Sequence, residues 1–361
     1  MSPSEAIAYS TEIARIPQPA KYIFVAGVGA VGETFLRQVA GNASCRVIGL
    51  CNSRHVRWLN PEEEPYDDRS GDLNLWKGEQ KNWNDIIRKL ANYEAGCVIF
   101  VDTSGSREVA ELYATLLSLG IHVVTPSKIA NTRSQGQFDE LHELARRNDT
   151  EFRYETNVGA GLPVIRTVKS LIESGDEILE ITGVLSGTMT YLFSQLDKGE
   201  PFSKAVIKAR SLGYAEPDPR DDLSGEDVAR KFLILARICG LRLESSDIKV
   251  ESLIPPSLKD VDASDFLERL HEADEEWKER MEPVLSRGST LRYEGVLKNG
   301  TVRVGLVEVP KGSPIGLLTG TTNLIQIKSR RYKDQPLIIQ GPGAGKEVTA
   351  AGVLADVLKI R

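Results

Sequence analysis

The sequence predicts an α/β chain, in which a first unit built on a parallel sheet precedes a second α+β unit with a mainly antiparallel sheet. Three observations carry this. The run KYIFVAGVG passes from β-branched and aromatic residues straight into glycines, and apolar runs then alternate with helical patterns as far as residue 155. Beyond that point longer helical patterns give way to a late group of strands. With 361 residues the chain exceeds the size at which one hydrophobic core stops growing, so two units sharing an interface are expected.

Residues 1–20 read as an N-terminal arm ending at Pro17 and Pro19. The first unit, residues 21–155, begins with a β-α-β pattern: a strand at KYIFVA, helical spacing at Phe35, Leu36 and Val39, and a strand at RVIGLC. CVIFVDTS (97–104) and HVVTPSK (122–128) are further strands, separated by the helical REVAELYATLLSLG. Residues 156–335 hold the helical patterns PVIRTVKSLIES, FSKAVIKARSLG and EDVARKFLILARICG, then the strands LRYEGVLK, TVRVGLVEV and NLIQIKS. Residues 336–361 return to strand, glycine turn and helix, and are expected to pack back on the first unit.

Composition narrows the function. A formal net charge of −6 gives no basic face for phosphate backbones, which argues against nucleic acid and for a small-molecule partner. No segment reaches the ~18 apolar residues of a membrane span, and the start of the chain lacks a secretory pattern, so a cytoplasmic location is expected. Cys45, Cys51, Cys97 and Cys239 are scattered without a CxxC pair and read as buried thiols in a reducing compartment. The four histidines form neither a triad nor a metal spacing, and LHEADEEWKERM (270–281) reads as a solvated amphipathic helix.

Gly27, Gly29 and Gly32 form a G-x-G-x-x-G with a strand before it and a helix after it, the context in which the motif binds a dinucleotide. Glycines permit the tight turn and the approach to a pyrophosphate, and the helix N-terminus offers unpaired N–H groups. Gly27, Gly29, Ala30, Val31 and Gly32 are therefore the expected cofactor contacts of a Rossmann-type domain. Where a carboxylate would hold the ribose 2′-hydroxyl of NAD, the chain reads Asn52, Ser53, Arg54, His55. This favours NADP, with NAD still open, unless Arg54 merely points to solvent.

EPDPRDDLSGEDVARK (216–231) is dense in charge. Ser224 and Asp227 have the spacing of a capping box, and Asp227 with Lys231 that of a surface i,i+4 pair. The apolar residues beyond, Phe232, Ile234, Leu235 and Ile238, instead place the pair where a buried helix emerges into a cavity, leaving Glu226, Arg230 and Arg237 for solvent. In the second reading a lysine stabilises oxyanion charge and exchanges a proton during hydride transfer.

ETNVGAGLPVI, LSGTMTYLF, LGYAEPDPRDDLSGEDVARK and GAGKEVTAAGVLADV, with the glycine loop and TPSK, together resemble homoserine dehydrogenase over residues 22–358. The likeness is to a short form without fused aspartate kinase or C-terminal regulatory extension, so feedback inhibition through an added domain is not expected. It implies NAD(P)-dependent interconversion of L-homoserine and L-aspartate 4-semialdehyde, a step toward threonine, isoleucine and methionine. It also implies a second domain that binds substrate and forms a homodimer. By the resemblance Lys231 is the proton donor, Asp227 orients it and contacts substrate, Glu216 holds the substrate ammonium with Asp222 as helper, and Lys128 lies at cofactor and substrate. Ser104, Gly213 and Gly345 would line the nicotinamide end.

ETNVGAGL resembles the family's monovalent-cation loop, which implies sodium on Glu155 and the carbonyls of Val158, Ala160 and Leu162; the alternative is a structural turn. Three departures fall on the cofactor side: Ser127 stands before the TPSK lysine where Asn is usual, Ile129 follows where a second lysine is frequent, and Ser104, Gly105 and Ser106 replace Thr-Ser-Ser. Two other readings stay open: a same-fold oxidoreductase acting on another amino-acid semialdehyde, and a non-catalytic NADP-binding sensor. Retention of Asp227 and Lys231 speaks against the sensor.

Overall fold

A computed structural model describes residues 20–60, 78–94 and 96–361; the expected N-terminal arm, but for Ala20, lies outside the described residues. In chain order the first elements are β1 (Lys21–Ala26), α1 (Ala30–Ala40), β2 (Cys45–Cys51), β3 (His55–Trp58), β4 (Glu79–Gln80), α2 (Trp83–Ala91) and β5 (Cys97–Asp102). Then come α3 (Arg107–Glu111), α4 (Tyr113–Ser118), β6 (His122–Val124), α5 (Gln135–Arg147) and β7 (Phe152–Arg153). The second part holds α6 (Val164–Glu173), β8 (Ile178–Val184), α7 (Gly187–Leu196), α8 (Phe202–Ser211), α9 (Arg220–Leu223), α10 (Glu226–Ile238) and β9 (Lys249–Val250). It continues with α11 (Ala263–Arg269), α12 (Asp274–Ser286), β10 (Ser289–Lys298), β11 (Thr301–Pro310), β12 (Thr322–Ser329), β13 (Leu337–Pro342) and α13 (Lys346–Lys359).

The first sheet has the order β4-β3-β2-β1-β5-β6-β7. From β2 to β7 its pairs are parallel, while β3 and β4 add an antiparallel edge that the sequence did not announce. Strand β1 is central and nearly wholly buried, as the run of apolar residues without alternation requires. Its partners place Ala26, Cys51 and Asp102 side by side, so the loops after β1, β2 and β5 open at one carboxyl edge, where ligands of such sheets bind. The expected helix REVAELYATLLSLG breaks at Leu112 into α3 and α4.

The second sheet, β13-β12-β8-β10-β11-β9, is antiparallel except for the β11–β9 pair. On one face β10 takes α10 at very close range: a Cβ on Gly295 would lie 2.0 Å from the Phe232 ring, so only glycine lets the helix sit there. On the other face, residues 311–320 cover Val184 and Leu324, held by the buried Arg292, whose guanidinium donates to the Ile315 and Gly316 carbonyls. Val296, Val307 and Gln326 on that face are half-buried and Ile338 is exposed. The segment expected as a solvated helix at 270–281 is instead a short turn followed by α12, with Trp277 and Met281 buried and Trp277 stacked on Phe202.

The last segment divides between the two units. Strand β13 pairs with β12, whereas α13 crosses to the first unit, where Ala350, Val353 and Val357 join Ile23, Val25 and Phe35 in one core. The buried Lys21 ammonium donates to the Ile360 carbonyl and fixes that return. All four cysteines are free, three of them buried, and no helix among the described residues is long and apolar enough to cross a membrane.

Candidate active site

Two cavities lie along the carboxyl edge of the first sheet and the seam with the second unit. The first, of about 620 Å³, is walled by Gly27, Gly29, Asn52, Lys81, Ser104 and Glu108. Gly27 (φ +95) has room for no side chain, since a Cβ would lie 2.6 Å from the Ser104 backbone, and one on Gly32 would lie 2.0 Å from the Gly27 carbonyl. Gly29 is different. Its backbone is extended, so any residue could adopt it, and a Cβ would meet nothing within 4 Å. Glycine at 29 keeps a cradle open at the start of α1, which fits a pyrophosphate.

Buried Asp102 shapes the opposite wall. Its carboxylate accepts from Ser104 N (2.7 Å), Ser104 Oγ (2.6 Å) and the Tyr113 hydroxyl, and burial raises its pKa despite these bonds. Asn52 Oδ1 accepts from Arg54 N and His55 N, both at 2.7 Å, and so fixes the turn after β2. Arg54 itself is exposed and does not line the cavity. Among the described residues a cation that does is Lys81, which sequence reading missed: its Nζ lies 4.5 Å over the Trp83 ring and 3.7 Å from Glu108 Oε2, while Trp83 Nε1 donates to Glu108 Oε1 at 2.8 Å. The β3–β4 edge brings it there, through Lys81 N donating to the Arg54 carbonyl at 2.8 Å. Of the other expected cofactor contacts, Ala30 and Val31 lie in the first turn of α1 outside the cavity lining, and Gly213 (φ +72) sits exposed in the turn after α8, lining neither cavity.

The second cavity, of about 700 Å³, brings together Lys128, Asp227, Lys231, Glu216, Asp222 and Gly345. Lys128 comes from the turn after β6, and Asp227 and Lys231 from the first two turns of α10. The Asp227 carboxylate is shared: Oδ1 lies 3.1 Å from Lys128 Nζ and Oδ2 lies 2.8 Å from Lys231 Nζ. Lys231 Nζ also donates to the Leu185 carbonyl at 2.5 Å, so its direction is fixed from two sides. Burial alone would raise the Asp227 carboxyl, but the Lys231 and Lys128 ammoniums outweigh it and hold the group well below the usual range. Burial lowers the Lys128 pKa, with Asp227 opposing and Lys231 adding to the shift.

Asp227 is not a capping residue. Ser224 closes the short helix α9, and α10 starts from Gly225 (φ +76), where a Cβ would lie 1.8 Å from the Tyr293 hydroxyl. The expected capping box is absent because a left-handed glycine makes the turn and both Asp227 oxygens go to lysines. Of the three residues assigned to solvent, Glu226 and Arg230 are exposed but Arg237 is buried, 4% accessible. Asp222 Oδ2 accepts from Glu216 N (2.8 Å) and Oδ1 from the Thr188 hydroxyl (2.8 Å), so its carboxylate shapes the loop that leaves Glu216 exposed at the rim.

Glu155 is buried nearby. Its Oε2 accepts from Arg166 N at 2.8 Å, its Oε1 has no partner, and burial with Asp356 beside it pushes its pKa up to about 7. Its loop passes through Gly159 (φ +80) and Ala160 (φ +52), and the Leu162 carbonyl accepts from Val164 N at 2.9 Å. Among the described residues no three His, Cys, Asp or Glu side chains gather as a metal cluster, so an ion here would rest on one carboxylate and carbonyls, a donor set suited to a hard cation.

A pyrophosphate cradle at a strand–glycine–helix turn and a lysine–carboxylate cluster in a second cavity form an arrangement suited to nicotinamide-dependent oxidoreduction. Residues 163–358 match the homoserine dehydrogenase family and residues 27–155 match the NAD-binding domain of homoserine dehydrogenase. The chain belongs to the homoserine dehydrogenase family. It is 40% identical over 357 residues to the chloroplastic bifunctional aspartokinase/homoserine dehydrogenase 1 of Zea mays, with 93% of this chain and 38% of that protein covered. To the bifunctional enzyme of Haemophilus influenzae it is 38% identical, covering 93% of this chain and 42% of that one. The chain thus spans about two-fifths of the curated relatives it matches. Among solved structures, a Candida auris protein of unknown function superposes with a TM-score of 0.87 at 32% identity over 95% of this chain and 98% of that one. A hyperthermophilic archaeal homoserine dehydrogenase in complex with NADPH gives 0.71 at 25% identity over 94% and 97%.

Proposed function

We propose that this chain interconverts L-homoserine and L-aspartate 4-semialdehyde with NAD(P). The observation that carries the reading is Asp227 held between the Lys128 and Lys231 ammoniums in one cavity, in a chain whose glycine turn lines another. A bound nicotinamide supplies or accepts the hydride. Lys231 donates the proton to the carbonyl oxygen in reduction and takes it back in oxidation, while Asp227 and the Leu185 carbonyl keep its Nζ aimed. Lys128 adds a second positive charge against the developing alkoxide. Glu216, exposed at the rim on the loop shaped by Asp222, receives the substrate ammonium.

NADP is the better-suited cofactor because Lys81, rather than Arg54, stands at the cavity wall beside Asn52, where an adenosine 2′-phosphate would be read. Sodium is the proposed ion on Glu155 and the carbonyls of Val158, Ala160 and Leu162, supported by the unpartnered buried Glu155 Oε1. A homodimer through the second sheet is supported by the incompletely covered face that carries Val296, Val307 and Ile338.

Lys231→Ala should lower kcat by about 10²-fold or more while the NADPH dissociation constant stays nearly unchanged; a near-normal rate removes Lys231 from the reaction. With Lys81→Met, the ratio of kcat/KM for NADP over NAD should fall about tenfold, and an unaltered ratio would show that another group reads the phosphate. The melting temperature should be higher in sodium chloride than in choline chloride of equal ionic strength, with the difference lost in Glu155→Gln; equal values for the parent protein overturn the ion assignment. Sedimentation velocity should give twice the 39.7 kDa chain mass, and a monomer at micromolar concentration refutes the dimer.

A further inference from the structure

The reacting cluster is assembled across a seam, since Lys128 belongs to the first unit and Asp227 and Lys231 to the second. The only direct tie between them in the cluster is the Lys128–Asp227 pair, partly exposed and 3.1 Å long. Three turns along the same helix from Asp227 is Arg237, whose side chain is fully buried. Its guanidinium reaches back across the seam. Nη1 donates to the Asn131 carbonyl (2.9 Å) and the Arg133 carbonyl (2.8 Å), and Nε and Nη2 donate to the Leu243 carbonyl (3.2 and 2.8 Å).

Glu244 completes the grip. Its Oε2 lies 3.4 Å from Arg237 Nη2, and its Oε1 accepts from Gln135 N at 2.9 Å, so residues 131–135 are held from both sides of the α10 C-terminus. The Phe138 ring lies 5.3 Å from the guanidinium carbon and closes the pocket. Residues 131–133 finish the turn that Lys128 begins. Thr132 N and Oγ1 both bond the Lys128 carbonyl, at 3.0 and 2.9 Å. Asn131 Nδ2 donates to Asn157 Oδ1 (2.9 Å), whose Nδ2 donates to the Thr125 carbonyl (3.0 Å). The turn is therefore stiff, and what holds its far end also sets the position of Lys128.

We propose that Arg237 is a positioning residue for the reaction: helix α10 presents Asp227 and Lys231 at one end and, through Arg237 at the other, fixes the turn that delivers Lys128 to them. Lone guanidinium burial would be costly; here its donors are satisfied by carbonyls of both units and by Glu244, so a slip that drew the Asn131 and Arg133 carbonyls away would leave Nη1 buried without acceptors. The grip thus resists small slips of the seam that the partly exposed Lys128–Asp227 pair alone would tolerate, and misplacement of a reacting group by about 1 Å can cost 10²-fold in rate.

This rests on Lys128 acting in the proposed reaction, and a double-mutant cycle separates the two claims. Arg237→Met is expected to lower kcat/KM for L-homoserine by about tenfold or more, with the NADP dissociation constant unchanged, at a temperature where circular dichroism shows the variant folded. Combined with Lys128→Met, it should cost little further, because the residue it positions is gone. Losses that multiply, or an Arg237→Met rate within about twofold of the parent, overturn the proposal. If Lys128→Met alone leaves the rate intact, the reaction assignment for Lys128 fails instead, and with it the use of the grip. Should Arg237→Met not fold, Glu244→Leu, which leaves the guanidinium in place and removes the acceptor of Gln135 N, takes its place in the same cycle with an expected loss of a few-fold and the same two overturning outcomes.

Discussion

One carboxylate holds the site together. Asp227 lies between two ammoniums that would otherwise repel each other across the seam between the units, and it leaves the trio with a net positive charge. That excess suits a carbonyl oxygen becoming an alkoxide. Desolvation of Lys128 lowers its proton affinity and the two lysines keep Asp227 ionised, so the three groups do not compete for one proton.

Such a trio needs a rigid support, and the surroundings of α10 supply it. Gly295 lets Phe232 press onto the sheet, Gly225 turns the chain under the Tyr293 hydroxyl, and the Leu185 carbonyl meets Lys231 from the end of β8. Each contact admits only a small residue or a backbone atom at its point of approach. Around α10's first turns, precision therefore comes from backbone packing and from carbonyls.

The order of elements and the glycine turn were legible because each leaves a local signal: unbroken apolar strands, a 3.6-residue stripe and glycines at fixed offsets. The charged stretch was legible in part. Its apolar continuation pointed correctly to a cavity, but spacing alone suggested a cap at Ser224, and the left-handed Gly225 that prevents it is one small residue among thirty-one glycines. Arg237 was assigned to solvent because a helix apolar around most of its circumference offers no clear outer face, and its partners are carbonyls, which any sequence possesses. Lys81 escaped notice for a different reason: a two-residue strand, too short to have a period, carries it to the cradle wall.

The return of α13 to the first unit bears on the order in which the molecule is made. Ala350, Val353 and Val357 fill the core beside β1 and α1, and the Ile360 carbonyl receives the Lys21 ammonium, so residues near opposite ends of the described chain complete one hydrophobic core. During synthesis the nucleotide-binding unit emerges first, yet its α1 face stays uncovered until the whole second unit has been translated. At about 5–20 residues per second, that interval lasts on the order of ten seconds or more, during which Phe35, Leu36 and Val39 have no helical partner. The second sheet is complete once β13 has been made, whereas the first unit is finished last, when α13 follows.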